Sequence, residues 1–266
     1  MKLEILICTI DDGINRVAEM LMPRREDVGY LVSWQLRDAR DAQVPESLER
    51  DDVRVVRLEG RGLSRNRNHA IDNAQGEICL IADDDLKYYA CNLGKVIECF
   101  EHNQQLDFAT FRYDSAADKK IYPSQEFDLN MFPKGYYVTS VELAFRRTSV
   151  QGRLRFDEHF GLGAEVLKAG EESVFVHDAL GMGLRGRFFP ITIASHNHPT
   201  TGVSRAGERG VIMANAAYLQ VAYKHNYKWL RAVLMAWRSH RRGKVPFITA
   251  LRWVSDGIAY AKSIGR

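Results

Sequence analysis

The chain has little that would cross-link it, anchor it or mark it for export. Its 266 residues include four cysteines, Cys8, Cys79, Cys91 and Cys99, and no C-x-x-C pair. That spacing argues against a zinc site or a disulfide framework. Reduced thiols are expected, with Cys8 and Cys79 inside apolar strand candidates. No apolar run approaches the roughly 18–20 residues of a spanning helix. The first residues lack the basic, apolar and small-residue regions of a leader. A cytoplasmic protein, at most peripheral to a membrane, is therefore the expectation. There is no internal repeat and no low-complexity linker. Net charge is small as well, at +3, which speaks against a chain built as a whole to bind nucleic acid.

What is there suffices for a folded core. Hydrophobic residues make up 45% and charged residues 27%, ordinary values for a globular protein of one large domain, or one domain with an appendage. Strand candidates at 3–10, 30–34, 53–58 and 78–82 alternate with helix candidates. The first helix runs through Val17, Met20 and Leu21, the second from Ser64 to Ala74, and the third has a stripe of Tyr89, Leu93, Val96, Ile97 and Phe100. Such alternation predicts an α/β fold with a doubly wound, mostly parallel sheet. Further strands are expected at 107–113, 142–146 and 187–194, and a helix from about Glu171 to Leu180. Beyond Arg205 the pattern turns helical and basic, so a domain over 1–205 and a C-terminal extension over 206–266 are expected.

The most informative stretch is Ile78-Cys79-Leu80-Ile81-Ala82-Asp83-Asp84-Asp85. An apolar run bounded by Gly76 and by charge suits a buried parallel strand, and ligands bind at the carboxyl ends of such strands. Three adjacent carboxylates repel one another unless a cation sits among them. Oxygen ligands favour a hard ion, Mn²⁺ or Mg²⁺, which takes its remaining ligands from water and phosphates. A solvated acidic turn is the plainer alternative.

Three other segments bear on the same chemistry. In Gly60-Arg61-Gly62-Leu63-Ser64-Arg65-Asn66-Arg67, helical spacing puts Arg67 on the buried stripe and Arg65 opposite. A buried arginine near a helix start needs an anionic partner: a nucleotide or diphosphate, or an internal carboxylate such as Asp72 or Asp11. A glycine-rich loop, Phe156 to Gly163, precedes a helix opening on Glu171 and Glu172. The helix dipole keeps such carboxylates ionised, and one facing a cleft can accept a hydroxyl proton, although either alone is also common helix-terminal decoration. Last, His196 and His198 lie in a polar loop after a strand. One nitrogen there suits a metal, and a hydrogen-bonded loop role suits equally well.

Over roughly residues 1–205 the chain resembles the family 2 glycosyltransferases of GT-A fold. The resemblance rests on the strand ending at Thr9, on Gly62-Leu63-Ser64-Arg65-Asn66-Arg67-Asn68, on Asp83-Asp84-Asp85, on Glu142-Leu143-Ala144-Phe145-Arg146-Arg147, and on Phe156 to Gly163 followed by Gly170-Glu171-Glu172. It implies a nucleotide-sugar donor such as a UDP-sugar, a divalent metal, Mn²⁺ or Mg²⁺, at a D-x-D motif, and inversion at the anomeric carbon. Thr9, Asp11 and Arg67 would lie at the nucleotide. Asp83 and Asp84 would hold ribose and metal, with Asp85 and His196 as further metal ligands. Glu172, or its neighbour Glu171, would be the base. Two departures stand out: Ala82 occupies the first acidic slot of the usual Leu-Asp-x-Asp-Asp, and Ser33-Trp34-Gln35 replaces the acid closing the second strand.

Two other classes share these residues: a nucleotidyltransferase or phosphohydrolase, and a non-catalytic nucleotide or nucleic-acid binder. Lys87 where a haloacid-type phosphatase wants threonine, and the acids beside the arginines, count against them. The expected acceptor is a saccharide or a lipid-linked saccharide, as in cell-surface polysaccharide or glycolipid synthesis. The tail bears Lys224, Lys228, Arg231, Arg238, Arg241, Arg242, Lys244, Arg252, Lys262 and Arg266 against Asp256. Leu219, Tyr227, Leu230, Leu234, Trp237, Phe247, Leu251, Trp253 and Val254 are interleaved with them. Such helices either meet a membrane surface or pack on the domain or on a second copy.

Overall fold

The computed structural model describes residues 1–37, 42–115, 120–196, 204–223, 228–241 and 245–266. The chain forms two compact units. The first comprises Met1–Arg61, Arg65–Arg155 and Asp178–His198, and the second comprises Gly62–Ser64, Phe156–His177 and Pro199–Arg266.

The first unit is built on a sheet of nine strands: β1 (Leu3–Ile10), β2 (Val28–Leu36), β3 (Val53–Glu59), β4 (Ile78–Asp83), β5 (Leu86–Tyr88), β6 (Phe108–Asp114), β7 (Phe127–Asp128), β8 (Leu143–Arg146) and β9 (Gly186–His196). Their order is β3-β2-β1-β4-β8-β6-β9-β5, with β7 beside β9. Strands β3, β2, β1 and β4 pair in parallel, two antiparallel steps through β8 restore the direction at β6, and β9 runs parallel to β6. Only β8, β5 and β7 oppose the rest. The expected α/β, mostly parallel architecture is therefore observed. Strands β1 and β2 are buried along almost their whole length, which is why they read as largely apolar runs.

Helix α1 (Leu63–Asn73) follows β3, α2 (Ala90–His102) follows β5, and the short α3 (Arg147–Val150) follows β8. The α2 stripe of Leu93, Val96, Ile97 and Phe100 shares one core with Leu3, Ile5 and Ile7 of β1 and Leu80 of β4. The segment Asp11–Met20 differs from expectation: it winds as a 3₁₀ helix. Its buried residues Ile14, Val17 and Met20 recur every third position, the period of that tighter helix. Strands β5 and β7 were not anticipated, being too short to carry a period. Cys8 and Cys79 are buried in β1 and β4, and burial pushes the Cys8 thiol up to about 12.

In the second unit the segment Phe156–His177 carries the start of α4 (Glu171–Gly181) and is accompanied by α5 (Arg209–Ala222), α6 (Lys228–Arg241) and α7 (Phe247–Ser263). Phe160, Leu167 and Val174 pack with Met213, Ala214 and Ala217 of α5 and Ala261 of α7. A second cluster joins Ile212 and Ala216 of α5, Ala232 and Ala236 of α6, and Ala250 and Val254 of α7. Small residues bring these helices close: a Cβ at Gly257 would run into the backbone of Met213. Lys224, Tyr227, Arg242 and Lys244 lie outside the described residues. Among the described residues no helix is long and apolar enough to cross a membrane.

A carboxylate in the glycine-rich loop is held by two partners within this unit. Arg266 Nε donates to Asp157 Oδ2 at 2.7 Å, the His159 backbone N–H donates to Asp157 Oδ1 at 3.0 Å, and the His159 ring nitrogen Nδ1 lies 2.8 Å from it. Burial pushes the Asp157 pKa up, but these hydrogen bonds and the Arg266 charge outweigh it, and the net shift is downward. A carboxyl with a lowered folded pKa adds stability above its unfolded value and loses it as pH falls through the folded one. Asp157→Asn should thus cost about 1–3 kcal/mol near neutrality. Urea unfolding over a pH series should show that difference closing below about pH 3.9, the unfolded carboxyl value.

Candidate active site

The carboxyl ends of β1, β2 and β4 meet along one edge of the first unit. Cys8 pairs with Asp83 across β1 and β4, and Thr9 pairs with Trp34 across β1 and β2. After Asp83 the chain turns through Asp84 and Asp85 into β5, whose Leu86 pairs with His196 of β9. One turn therefore brings the triple aspartate against β1 on one side and β9 on the other.

Each aspartate has a different neighbour. Arg67 Nη2 donates to Asp83 Oδ1 at 3.1 Å and to Ser140 Oγ at 2.7 Å. The Arg67 side chain is 1% exposed, so this is a buried cation opposite a half-exposed acid. Asp84 accepts from the Thr9 hydroxyl and from Arg16 Nη2, the latter at 2.7 Å. The contact is so close that a side chain at Gly13 would collide with both Asp84 Oδ2 and Thr9 Oγ1. Asp85 lies 3.2 Å from His196 Nε2. Burial pushes the Asp83 pKa up, Arg67 pulls it down, and the charges of Asp85 and Asp84 push it up again; the net shift is upward.

The end of β1 is shaped by backbone as well. Asp11 has φ 48, a left-handed conformation unusual for a residue with a side chain, of the kind held only where the surroundings over-determine it. Here its carbonyl accepts from the Trp34 indole at 2.8 Å, and its carboxylate accepts from the Arg37 backbone N–H at 3.1 Å and lies 2.7 Å from Arg37 Nε. Asn66 of α1 donates to the Thr9 carbonyl at 3.0 Å. Where the second strand lacks an acid, Ser33 instead bonds His69 at 2.8 Å.

Ser140, the second partner of Arg67, belongs to a tight turn, Ser140–Glu142, anchored by a group that sequence reasoning missed. Glu142 is fully buried, and Lys120 Nζ lies 2.6 Å from it. Tyr122 also donates to Glu142, and the Thr139 backbone N–H reaches it at 3.2 Å. The lysine sits among the rings of Tyr122, Tyr136 and Tyr137, at 4.8, 5.2 and 4.4 Å from their centroids. Burial pushes the Glu142 pKa up against the pull of Lys120, Tyr122 and Thr139. A buried glutamate ahead of an apolar strand was the only hint in the sequence; Lys120, far along the chain, left none.

Glu171 and Glu172 open α4 in the second unit. Glu171 is buried, its carboxyl beside Gly161 and the Ser64 hydroxyl, in the space a side chain at Gly161 would take. Ser64 also donates to the Phe160 carbonyl at 2.6 Å, so the first turn of α1 is tied to the glycine-rich loop. Glu172 is half-buried.

The expected residues thus sort as follows. Thr9, Asp11, Arg67, Asp83, Asp84, Asp85 and His196 gather in the first unit, while Glu171 and Glu172 stand together in the second. The partner of Arg67 is Asp83, not Asp72 or Asp11; Asp72 pairs with Arg155 at 2.9 Å. Among the described residues no three His, Cys, Asp or Glu side chains converge as a ready metal site. Asp85 and His196 meet, whereas Asp83 faces Arg67. His198 lies outside the described residues.

Residues 37–161 match the sequence model of the family described as Glycosyl transferase family 2. Over those residues the family resemblance read from the sequence is borne out. Arg67 and Asp83–Asp85 lie inside the matched segment. Among solved structures, S. aureus TarS residues 1–349 in complex with UDP aligns with a TM-score of 0.58 at 16% identity, over 89% of this chain and 70% of that one. The same protein in complex with UDP-GlcNAc gives 0.57 at 16%, over 89% and 71%. A longer TarS structure gives 0.59 at 17%, over 89% of this chain and 42% of that chain. At these identities the likeness is one of fold. No curated protein matches the chain.

The buried ion pair yields a stability prediction. Lys120→Met leaves the Glu142 charge buried without its cation and should cost about 3–5 kcal/mol. Adding Glu142→Leu should recover much of that loss, since a buried pair replaced by apolar residues is often near neutral. Chemical denaturation of both single variants and the double variant measures the coupling.

Proposed function

We propose that the protein transfers a glycosyl group from a nucleoside-diphosphate sugar, a UDP-sugar, to an acceptor hydroxyl with inversion. The observation that carries this reading is the Arg67–Asp83 pair at the carboxyl edge of β4, next to Asp84 and Asp85. The UDP and UDP-GlcNAc named with the TarS structures support the choice of donor. Thr9, Asp11 and Asp83 would receive the nucleotide, with Arg67 holding Asp83 and Arg16 holding Asp84. The acceptor is a saccharide, free or lipid-linked.

A divalent cation suits the residues present. Asp85 and His196 offer an oxygen and a nitrogen 3.2 Å apart, a mixed donor set that Mn²⁺ takes more readily than Mg²⁺. The diphosphate and water would supply the remaining ligands. Bound there, the ion would offset charge on the departing diphosphate. Glu172, half-buried in the first turn of a helix, would take the acceptor proton. The freed oxygen attacks the anomeric carbon, the bond to the β-phosphate oxygen breaks, and a nucleoside diphosphate leaves. Glu171, buried beside Ser64 and Gly161, would position that helix turn and not exchange the proton.

Glu172→Gln keeps the shape and removes the basicity, so turnover should fall by about 10²–10⁴ with donor affinity little changed. A larger effect from Glu171→Gln would reassign the base. Calorimetric titration with UDP tests the cation: affinity should rise with Mn²⁺ and drop with EDTA or in Asp85→Asn. An affinity indifferent to all three would remove the cation from the reading.

A further inference from the structure

We propose that α6 is a docking surface for an anionic lipid membrane. The helix has two apolar faces with different fates. At about 100° per residue, Ala232 and Ala236 fall on one side, Trp237, Leu230 and Leu234 lie well round the helix from them, and Trp229 and Val233 bridge the two. The alanine side is buried against α5 and α7. The tryptophan side is open: Trp229 is 56% and Trp237 48% exposed, and Leu230, Val233 and Leu234 are exposed with them. Ordinary surface helices put charge there. A contiguous stripe of this kind marks an interaction site.

Charge identifies the partner. Between Glu208 and Asp256 the sequence has no acid and nine lysines and arginines. Arg231 and Arg238 border the open stripe, and both are exposed. Arg241 at the helix end stacks on Trp237, 5.3 Å from the ring centroid. A second copy docked on this face would set like charges against each other. A nucleic acid would meet the arginines but leave the leucines and valine in water. An anionic bilayer satisfies both: tryptophans sit at headgroup depth, aliphatic side chains enter the acyl boundary, and arginines reach phosphates. At 14 residues the helix would lie in the interface plane, and no described helix spans a membrane.

Cosedimentation of the full chain with vesicles tests it without any activity readout. The protein should bind vesicles of phosphatidylglycerol and phosphatidylcholine in equal parts, bind vesicles of phosphatidylcholine alone far less, and release as salt rises. Tryptophan emission should shift to the blue on binding. Trp229→Ser with Trp237→Ser should weaken binding at least about tenfold, and Arg231→Gln with Arg238→Gln should do likewise. Unchanged thermal midpoints would show that both variants fold. If a midpoint drops, the emission shift of the unaltered chain decides alone. Failure to bind the acidic vesicles, equal binding to neutral ones, or undiminished binding by the folded variants would overturn the proposal. So would a dimer that the tryptophan variant dissolves, or retention by an oligonucleotide in place of vesicles.

Discussion

Mutual repulsion among Asp83, Asp84 and Asp85 is the constraint around which the first unit is arranged. Three acids in a row at the end of a buried strand cannot share one environment. The fold separates them by partner: a buried guanidinium for Asp83, a hydroxyl and an exposed arginine for Asp84, an imidazole for Asp85. These partners come from four different segments. Arg67 is on α1, Thr9 ends β1, Arg16 is in the 3₁₀ helix and His196 ends β9. The triple aspartate therefore knits together the edge it sits on. It also leaves Asp83 with its pKa pushed up and Asp85 facing a nitrogen, so the three acids are chemically unlike.

Support for this arrangement reaches further than contact with it. Arg67 is held from behind by Ser140, and the turn that carries Ser140 is held by the buried Lys120–Glu142 pair and its tyrosine rings. Burying an ion pair is costly on its own account, and its use here is geometric. In the second unit the same logic recurs on a smaller scale. Asp157 ties the glycine-rich loop to Arg266, and Ser64 ties that loop to the start of α1. The residues next to Glu171 are thus fixed by hydrogen bonds of backbone and side chain, which a loop rich in glycine would otherwise leave free.

Much of the fold was legible because parallel strands buried on both faces leave continuous apolar runs, and because the α2 stripe has a clean helical period. The unexpected elements are those whose period is short or borrowed. The 3₁₀ helix at 11–20 shows apolar residues every third position, close enough to helical spacing to be taken for an α-helix. β5 and β7 exist only because β9 offers them an edge. The tail was read as helical with two open fates. In the structure Leu219 and Val254 are buried, while Leu230, Leu234 and Trp237 are exposed.

Local sequence determined which residue types stand at the end of β4, that Arg67 lies on the inner face of its helix, and that two glutamates open α4. Those are matters of spacing, which a chain carries in one dimension. Only tertiary structure decided that Arg67 meets Asp83 and not Asp72 or Asp11, that Asp85 meets His196, and that Lys120 lies against Glu142. Each of these pairs joins residues brought together by sheet order or by a long loop. Charge attracts without regard to sequence distance, so several acids were equally eligible for Arg67 until the pairing of β1, β4 and β9 chose among them.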